Sequence, residues 1–393
     1  MTDFVVLGAG YAGVRAIQHL QSATAPSDSI TWVSDEPEHL VRHEIHRAIR
    51  DPEASDHLRV PLREIRDERT TFIEGFVSDL DVDRRTVHLA DDREVTYDRL
   101  VVALGSDTAY YGIPGLERFG RPLRSLADAR VIHDWAISTA GGGGDGTEPA
   151  TDSAPVDRHR IVIGGAGLSG IQVAGELADL RDASDLPLEI TIVEAMDHVL
   201  PAGPSALRDR LRRRLEAIEV EIRTDSPIVE VESSTVHLDD EDPLAFEQLV
   251  WTGGITGPSA LEGADLEDRH NRLVAGPTFE TSDPRVFAVG DAALLEIDGT
   301  HVPATAQAAW QAGTVAAANA VRASRDEPLE SWRYRSKGTV VSVGDWAVAS
   351  EVVGVPLETF AGPMARFLKK FVGARWIASV SSWRRASRAW PYL

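Results

Sequence analysis

The sequence predicts an α/β protein with two Rossmann-like dinucleotide-binding domains, and three observations lead to this prediction. Glycines 8, 10 and 13, and again glycines 165, 167 and 170, form two GxGxxG patterns. Each pattern follows an apolar run typical of a strand and precedes a stretch with helical periodicity. A polar, glycine-rich segment at 138–157 lies between the two units, and we expect it to be a flexible loop.

The first unit has the order strand, glycine turn, helix and strand that opens a doubly wound fold. Residues 4–7 are apolar, a helix is expected from 14 to about 22, and a second strand at 30–33. Further strands are expected at 70–73, 75–77, 86–89 and 100–104.

The same order begins again after the glycine-rich segment. A strand is expected at 160–164, then a helix to about residue 180 and a strand at 188–193. Later apolar runs at 249–254 and 285–291 precede a helix at 305–322 and two strands at 338–343 and 346–350. The resulting domain boundaries are 1–137, 138–157, 158–275, 276–325 and 326–393.

Glycine has a distinct physical role at each position of such a turn. The first allows a tight turn, the second lets the backbone approach a pyrophosphate, and the third lets helix and strand pack closely. An acid at the end of the next strand binds ribose hydroxyls. Glu194 occupies that place in the second unit, and the absence of a following arginine favours NADH over NADPH. In the first unit Ser34 occupies the end of the strand, and the acid Asp35 follows one residue later. Asp35 is either a ribose ligand or an acid in a surface turn.

Composition excludes several classes of protein. Acidic residues number 62 against 40 basic residues, and the net charge of −22 argues against nucleic acid as a partner. Only three basic residues are lysines, a balance typical of a halophilic, here archaeal, protein or of an acidic protein from a high-GC genome. With no cysteine, the chain cannot use thiol chemistry or thiolate metal sites, and we expect no metal.

Taken in order, these motifs resemble the flavoproteins with two dinucleotide-binding domains, also called FAD-dependent pyridine nucleotide oxidoreductases. The resemblance rests on both glycine turns, on residues 101–106, on residues 171–177 and on the Gly-Asp motif at 290–291. It implies FAD at the first turn, with Asp291 on the ribitol, and NADH as substrate at the second. The residues expected at FAD are Gly8, Gly10, Ala12, Gly13, Ser34, Asp35, Val77, Ala103, Gly105, Gly290, Asp291 and Ala306. Those expected at NADH are Gly165, Gly167, Gly170, Glu194, Gly253 and Gly254.

Residues 306–313 indicate the electron acceptor. They resemble the AQxAxQQG signature of type II NADH:quinone oxidoreductases, which lines the quinone pocket. The match holds at Ala306, Gln307 and Gln311, whereas Ala312 replaces the second glutamine of the pair. We expect Gln307 and Gln311 to bind quinone and take part in the reaction; the alternative is an alanine-rich helix packed below the flavin.

A second departure from the family concerns proton delivery. Where the family has a glutamate near the flavin, this chain has Gln172, which cannot release a proton at ordinary pH. Glu176, the second acid of that pattern, is retained and either contributes to catalysis or faces the helix exterior. Both residues are catalytic candidates, and the proton donor to quinone is left open.

The C-terminal tail, residues 359–393, differs from the rest because it has seven basic side chains and no acidic one. A helix from Met364 would place Phe367 and Phe371 on one face and Lys369 with its basic neighbours on the opposite face. After Gly373, a second apolar stripe would contain Trp376, Val380, Trp383 and Trp390. Such helices are typical of segments at the membrane surface, as in the type II enzymes. The alternative is a tail docked on the acidic body of its own chain or of a dimer partner.

The sequence therefore predicts an FAD enzyme that passes electrons from NADH to a membrane quinone without pumping protons. We expect it to be peripheral, at the cytoplasmic face of the cell membrane, since residues 4–7 follow no leader-like segment. The sequence leaves open whether the protein forms a homodimer. The alternatives are a soluble ferredoxin or dye reductase of the same fold and a redox-sensing flavoprotein that signals through a partner.

Overall fold

The computed structural model describes residues 1–140, 158–297 and 299–393, so most of the predicted loop at 138–157 lies outside the described residues. The first domain is built on five parallel strands, in the order Val286–Ala288, Arg99–Val102, Asp3–Leu7, Ser29–Ser34 and Thr70–Glu74. Helix Tyr11–Ala23 connects the central strand to its neighbour and begins three residues earlier than expected. Because both faces of this sheet are covered, its strands are continuous apolar runs, with Val6 and Trp32 fully buried.

A second parallel sheet forms the other domain, in the order Gly120–Pro122, Gln248–Trp251, His159–Gly164, Leu188–Val193 and Val220–Arg223. Helices Leu168–Ser184 and Ser205–Ala217 follow its two central strands. The edge strand Gly120–Pro122 corrects the predicted boundary at 137, because it pairs with Gln248–Trp251 of the second domain. A strand this short carries no periodic signal of its own.

Smaller sheets accompany these two, and their strands pair antiparallel except for Arg272–Ala275 with Ala293–Ile297, which is a parallel pair. One contains Val77–Asp81, Thr86–Leu89 and Glu94–Thr96, and a second contains Ile228–Val231, Thr235–Leu238 and Leu244–Ala245. A third has the order Asp268–Arg269, Arg272–Ala275, Ala293–Ile297 and Thr300–His301, and two-stranded pairs join Glu38–Leu40 to Arg59–Pro61 and Asp107–Thr108 to Ile255–Thr256. The third sheet crosses the predicted boundary at 275. The strand expected at 75–77 in fact begins at Val77.

Short helical turns and two longer helices complete the part that precedes the tail. The turns are Arg42–Glu44, Arg47–Arg50, Ala54–His57, Leu62–Glu64, Leu116–Phe119, Ser259–Leu261 and Gly290–Ala292. The longer helices are Leu126–Ser138 and Ala306–Ser324. The second of these packs along Tyr11–Ala23 through small residues such as Ala316 and Gly313, and this contact brings the late part of the chain to the first glycine turn.

The C-terminal region begins with an antiparallel sheet of Thr339–Val343, Trp346–Ser350 and Thr359–Ala361. Helices Pro363–Val380 and Trp383–Ala389 and the turn Trp390–Tyr392 follow. The first helix continues through Gly373, and the side chain of Leu393 packs against this glycine. Among the described residues, no helix is both long and apolar enough to cross a membrane.

Candidate functional site

The first glycine turn has the geometry of a phosphate-binding loop. Gly8 has φ +97°, and a Cβ added there would lie under 3.0 Å from the carbonyl oxygen of Ala103. A Cβ on Gly13 would overlap the carbonyl oxygen of Gly8 in the same way, whereas one on Gly10 would meet nothing within 4 Å. No side chain caps the helix that starts after Gly10, so its first N–H groups face this open space.

The second turn repeats this arrangement. Gly165 has φ +96°, and a Cβ there would lie 2.8 Å from the Cα atom of Gly253. Gly170 is held against the carbonyl oxygen of Gly165, while Gly167 faces open space. In both turns the first and third glycines are therefore required by packing, and the middle glycine leaves room for a ligand.

The two strand-end acids differ in their contacts. Glu194 is 9% exposed and accepts hydrogen bonds from the backbone N–H of Ala166 at 2.7 Å and of Met196 at 3.0 Å. It thus fixes the second glycine turn, at the end of the strand Leu188–Val193. Ser34 is buried, and its Oγ lies 3.4 Å from the exposed carboxylate of Asp35. The first unit therefore keeps a hydroxyl at the strand end, with the acid beside it.

Asp291 lies at the first turn on the short helix Gly290–Ala292. Gly290 has φ +74°, and a Cβ there would lie 3.2 Å from that of Ala12. Burial raises the pKa of Asp291, and the positive charges of Arg42 and Arg272 oppose this rise. A small pocket opens beside Asp291. These residues fit FAD, because the carboxylate can accept from ribitol hydroxyls and the uncapped helix start can bind its phosphates.

The remaining predicted FAD and NADH ligands lie in different local environments. Val77 and Ala103 are buried next to strand ends, and Gly105 has φ +79° with free space beside it. Gly254 contacts Tyr111, whose hydroxyl group lies where a Cβ would be. Neither Tyr111 nor Arg42 could be predicted from the sequence, because neither belongs to a motif.

Gln307 and Gln311 have a different environment from the one expected. Gln307 Nε2 donates to Gly338 O at 3.1 Å, and its Oε1 accepts from the Lys337 N–H at 2.7 Å and from the Tyr334 hydroxyl at 3.2 Å. Gln311 Nε2 donates to Arg335 O at 3.0 Å. Both amides therefore hold the segment 334–338. Sequence spacing could not show this, because the partners are loop backbone atoms.

The departure at Ala312 has a packing reason. Ala312 is 1% exposed, and its neighbour Gly313 lies directly against the backbone of Ala12 in the helix after the first turn. A glutamine at 312 would need room that this helix contact does not leave. Ala306, half-buried, begins the helix, and Thr305 caps it by accepting from the Ala308 N–H at 3.2 Å.

Trp376 does not belong to an exposed stripe, which corrects the interpretation of the tail. It is 0% exposed, and its Nε1 donates to His39 Nε2 at 2.8 Å. Its ring centroid lies 4.8 Å from that of Tyr11 and 4.4 Å from that of Trp310. The guanidinium of Arg15 stacks on both tryptophans. The tail helix therefore docks beside the first glycine turn.

Lys369 and Val380 are buried as well, and Trp390 is half-buried. These three side chains therefore pack against the protein and do not lie on the exposed basic and apolar faces that were predicted. The tail binds its own body through ion pairs, among them Arg366 with Asp345 at 2.9 Å and Arg385 with Glu64. The other side of the tail exposes apolar residues, namely Met364, Phe367, Phe371, Val372 and Trp383. Local periodicity could not separate these two sides, because the docking partners lie far away in sequence.

Glu176 faces the interior and not the helix exterior. It is 0% exposed and forms ion pairs with Arg47 at 2.7 Å and Arg50 at 3.1 Å. Arg50 also contacts Asp179 at 2.7 Å and Asp345 at 3.0 Å. Burial raises the pKa of Glu176, and the two arginines oppose this rise. These contacts give Glu176 a role in joining the N-terminal segment, the second domain and the C-terminal sheet.

Gln172 lies one helical turn earlier, in the same buried region. The Gln172 amide forms its hydrogen bonds when its oxygen accepts from Lys369 Nζ, His46 Nε2 and Ser342 Oγ, each at 3.2 Å, and its nitrogen donates to the Leu168 carbonyl. Lys369 Nζ also lies 3.0 Å from Glu44 Oε1. Glu44 is a buried acid that the sequence did not single out, because its partners come from distant segments.

Two open glycine turns, a half-buried acid at the first and a strand-end acid at the second define a flavoprotein that binds two dinucleotides. Residues 2–313 match the pyridine nucleotide-disulphide oxidoreductases, and the chain belongs to this family. The family predicted from the motifs is thereby confirmed.

The chain is similar to curated proteins over most of its length. It is 26% identical to the NADH dehydrogenase-like protein YutJ of Bacillus subtilis, covering 96% of this chain and 98% of that protein. It is 27% identical to a type II NADH:quinone oxidoreductase of Staphylococcus aureus, covering 94% of each.

Solved structures share the fold at lower identity. The NDH2 structure from Plasmodium falciparum in complex with NADH has a TM-score of 0.82 at 13% identity, covering 99% of this chain and 97% of that one. The sulfide:quinone oxidoreductase from Aquifex aeolicus has a TM-score of 0.80 at 16% identity, covering 97% and 91%. At these identities the likeness concerns the fold.

Proposed function

We propose that the protein is an FAD-dependent enzyme that oxidises NADH and reduces a membrane quinone without pumping protons. The observation that carries the proposal is the pair of glycine turns, each with a middle glycine that faces open space at the start of an uncapped helix. The names of the relatives, an NADH dehydrogenase-like protein and a type II NADH:quinone oxidoreductase, support this function.

The residues divide the work between two dinucleotides. The turn from Gly165 to Gly170 binds the NADH pyrophosphate through backbone N–H groups, and Glu194 binds the adenosine ribose. The first turn and Asp291 hold FAD, which supplies the hydride-accepting chemistry when bound. The protein orients both dinucleotides and excludes water. NADH is preferred over NADPH because Ala195 and Met196 follow Glu194 where a 2′-phosphate would need a positive charge.

The electron acceptor in this proposal is a quinone, because residues 306–313 resemble the quinone-pocket signature and the thiol-dependent acceptors of this fold need cysteines. The sequence contains none, so a thiol relay to a disulfide or to sulfide is unavailable. Gln307 and Gln311 shape the quinone side through the segment 334–338, which their amides hold in place. The quinone approaches beside the helix Ala306–Ser324, which packs on the first turn.

In this proposal the tail binds the enzyme to the membrane surface, on the cytoplasmic face. Its exposed apolar side chains, among them Phe367, Phe371 and Trp383, lie on a segment with seven positive charges. Apolar insertion and attraction to anionic lipid then act together. The scarcity of lysine and the net charge of −22 support a halophilic source.

Steady-state turnover in high salt tests the proposal. Protein loaded with FAD is assayed with NADH or NADPH, and with quinones of increasing chain length or a ferredoxin as acceptor. We expect NADH oxidation that depends on lipophilic quinone, with NADPH a poor donor. A long-lived reduced protein without turnover would replace the proposal with a redox sensor, and preference for ferredoxin would replace it with a soluble reductase.

A further inference from the structure

A cleft of about 470 Å³ lies between the second domain and the C-terminal region. Its walls are Arg214 of the helix Ser205–Ala217, Trp346 of the C-terminal sheet and the first turns of the helix Pro363–Val380. This volume is within the range of small-molecule sites in proteins, about 300–1,000 Å³. No residue that lines the cleft belongs to either glycine turn, so the reaction proposed above does not use it.

Cationic side chains dominate the charge of this cleft. Arg214, Arg366 and Lys370 line it, and Asp345 is the one carboxylate among the described residues that do so. Asp345 is already shared by Arg366 at 2.9 Å and Arg50 at 3.0 Å. Neither Arg214 nor Lys370 forms an ion pair with any described carboxylate, although the chain as a whole has a net charge of −22.

The groups around the cleft are hydrogen-bond donors without an anionic acceptor. The guanidinium of Arg214 lies 5.9 Å over the ring of Trp346, and its Nε has no hydrogen-bond partner among the described residues. Lys370 Nζ donates to the backbone carbonyls of Trp390 at 3.0 Å and Pro391 at 2.9 Å, and its ammonium group has a further N–H. The tail helix begins at the cleft without a side-chain cap or an acidic residue in its first turn. Guanidinium, ammonium and helix-start N–H groups all favour a phosphate.

The surroundings of the cleft favour a lipid over a soluble ion. Phe367 lines the cleft and is 59% exposed, and its ring stacks on that of Phe371 with 6.3 Å between centroids. The ring of Trp390 lies 5.5 Å from that of Phe367. A phosphate in the cleft would therefore lie beside apolar side chains that face solvent. Tryptophans next to cationic side chains are typical of the boundary between lipid and water.

The positive charge of the tail is partly balanced within the protein itself. Three of its seven basic side chains form ion pairs with carboxylates of the body, namely Lys369 with Glu44, Arg366 with Asp345 and Arg385 with Glu64. Attraction to anionic lipid therefore depends on the cations that have no such partner. Lys370 is one of these, and Arg214 adds another from outside the tail.

We propose that this cleft binds the phosphate group of an anionic membrane lipid, with Arg214 and Lys370 as its cationic ligands. The lipid then contacts the second domain and the tail together, and a defined headgroup site is added to the apolar contact of the tail. The lipid as the occupant rests on the membrane position proposed above, whereas the binding of a phosphate group does not.

The electrostatics at Lys370 agree with an anion in the cleft. Burial lowers the pKa of Lys370, and the positive charges of Arg366 and Arg47 lower it further. Asp345 and Glu44 oppose this shift. A phosphate beside the ammonium group would add negative charge where positive charge prevails, which stabilises the charged form of the lysine.

Vesicle binding by charge variants tests the proposal. FAD-loaded protein is sedimented with vesicles of phosphatidylcholine alone or of phosphatidylcholine mixed with phosphatidylglycerol, at one salt concentration. In Arg214→Gln we expect the affinity for the mixed vesicles to fall about fivefold. The affinity for phosphatidylcholine alone should stay the same, because the exposed apolar side chains remain.

Arg213→Gln is the matched control for this variant. Arg213 is exposed, lies next to Arg214 on the same helix and does not line the cleft, so the change in net charge is the same. We expect this control to keep the affinity of the parent for both kinds of vesicle. Equal losses in the two variants would indicate a general attraction of charge and would overturn the headgroup site.

A second measurement leaves Arg214 unchanged, in case its loss disturbs the fold. The three lysines of the chain, Lys337, Lys369 and Lys370, are labelled with ¹³Cε, and Lys370→Arg assigns the signal of Lys370. Monomeric, short-chain phosphatidylglycerol should shift this signal to saturation and leave that of Lys337 in place. If glycerol phosphate shifts it at the same concentration, the occupant is a soluble phosphate ester and the lipid assignment is overturned. If neither ligand shifts it, the cleft is not a phosphate site.

These outcomes are separate from those of the proposed function. Neither measurement uses NADH or quinone, so absence of quinone turnover in the parent protein would refute the proposed enzyme activity and leave the lipid result standing. Equal affinity of the parent for both kinds of vesicle would keep the membrane contact and refute the headgroup site.

Discussion

For two glycines of the second turn, Gly167 and Gly170, the structure predicts opposite effects of the same substitution to alanine. Gly167 has φ −73° and ψ −172°, which alanine adopts freely, and its Cβ would meet no atom of the protein within 4 Å. At Gly170 the Cβ would lie under 3.0 Å from the carbonyl oxygen of Gly165. The first change fills ligand space and the second disturbs the fold.

The magnitudes follow from these contacts. In Gly167→Ala the pyrophosphate can no longer approach the backbone N–H groups, and each hydrogen bond to a charged group contributes about 1.5–3 kcal/mol. Loss of one such bond raises the KM for NADH and the Kd for NAD⁺ about 10- to 100-fold. Gly170→Ala forces the helix away from the turn, which costs about 1–3 kcal/mol and lowers the melting temperature by a few degrees.

Both variants are measured in high salt by melting temperature, FAD absorbance per protein, KM for NADH and KM for quinone. We expect Gly167→Ala to keep the melting temperature, the FAD content and the quinone KM of the parent. If Gly167→Ala binds NADH like the parent, or melts as early as Gly170→Ala, then the middle glycine does not face the dinucleotide and the assignment of the turn is refuted.

Three further predictions concern the strand-end acid, acid stability and the membrane. Glu194→Gln should raise the KM for NADH and narrow the preference over NADPH, because the carboxylate that binds the ribose and repels a 2′-phosphate is lost; an equal change in the quinone KM would contradict this. Burial lowers the pKa of His39 to about 4, and the hydrogen bond to the Ala9 carbonyl opposes this shift; the other ring nitrogen accepts from Trp376 Nε1. This group therefore contributes stability above pH 6.5 that is lost as the pH falls toward 4, about 3 kcal/mol in all, and His39→Gln should flatten the fall in denaturant midpoint over that range. Phe367→Ser with Trp383→Ser should release the protein from anionic vesicles at an unchanged melting temperature, whereas Trp376→Ala should lower the melting temperature; continued co-sedimentation of the first variant would refute the membrane assignment.

The sequence predicted those parts of the fold whose signal is local. Strands Thr86–Leu89, Leu188–Val193 and Trp346–Ser350 have the predicted bounds, because turn residues flank each apolar run. Both glycine turns have the expected geometry, because the positive φ and close packing that they need are properties of glycine itself.

The environment of the tail and of Gln307 could not be predicted in the same way. Lys369 and Trp376 look like surface residues on a helical wheel, and only their distant partners Glu44 and His39 make them buried. The amide of Gln307 binds backbone atoms of a loop that has no recognisable pattern. Helical periodicity reports which residues share a face, and it does not report what covers that face.

The docking of Trp376 on Tyr11 and His39 has a practical consequence for work with the protein. Deletion of residues 363–393, made to remove the proposed membrane contact, would expose the aromatic side chains around the FAD turn and leave Glu44 without Lys369. Loss of activity after such a deletion would therefore say nothing about lipid. A soluble form is better obtained by making the outward side chains Phe367, Phe371 and Trp383 polar and keeping the helix.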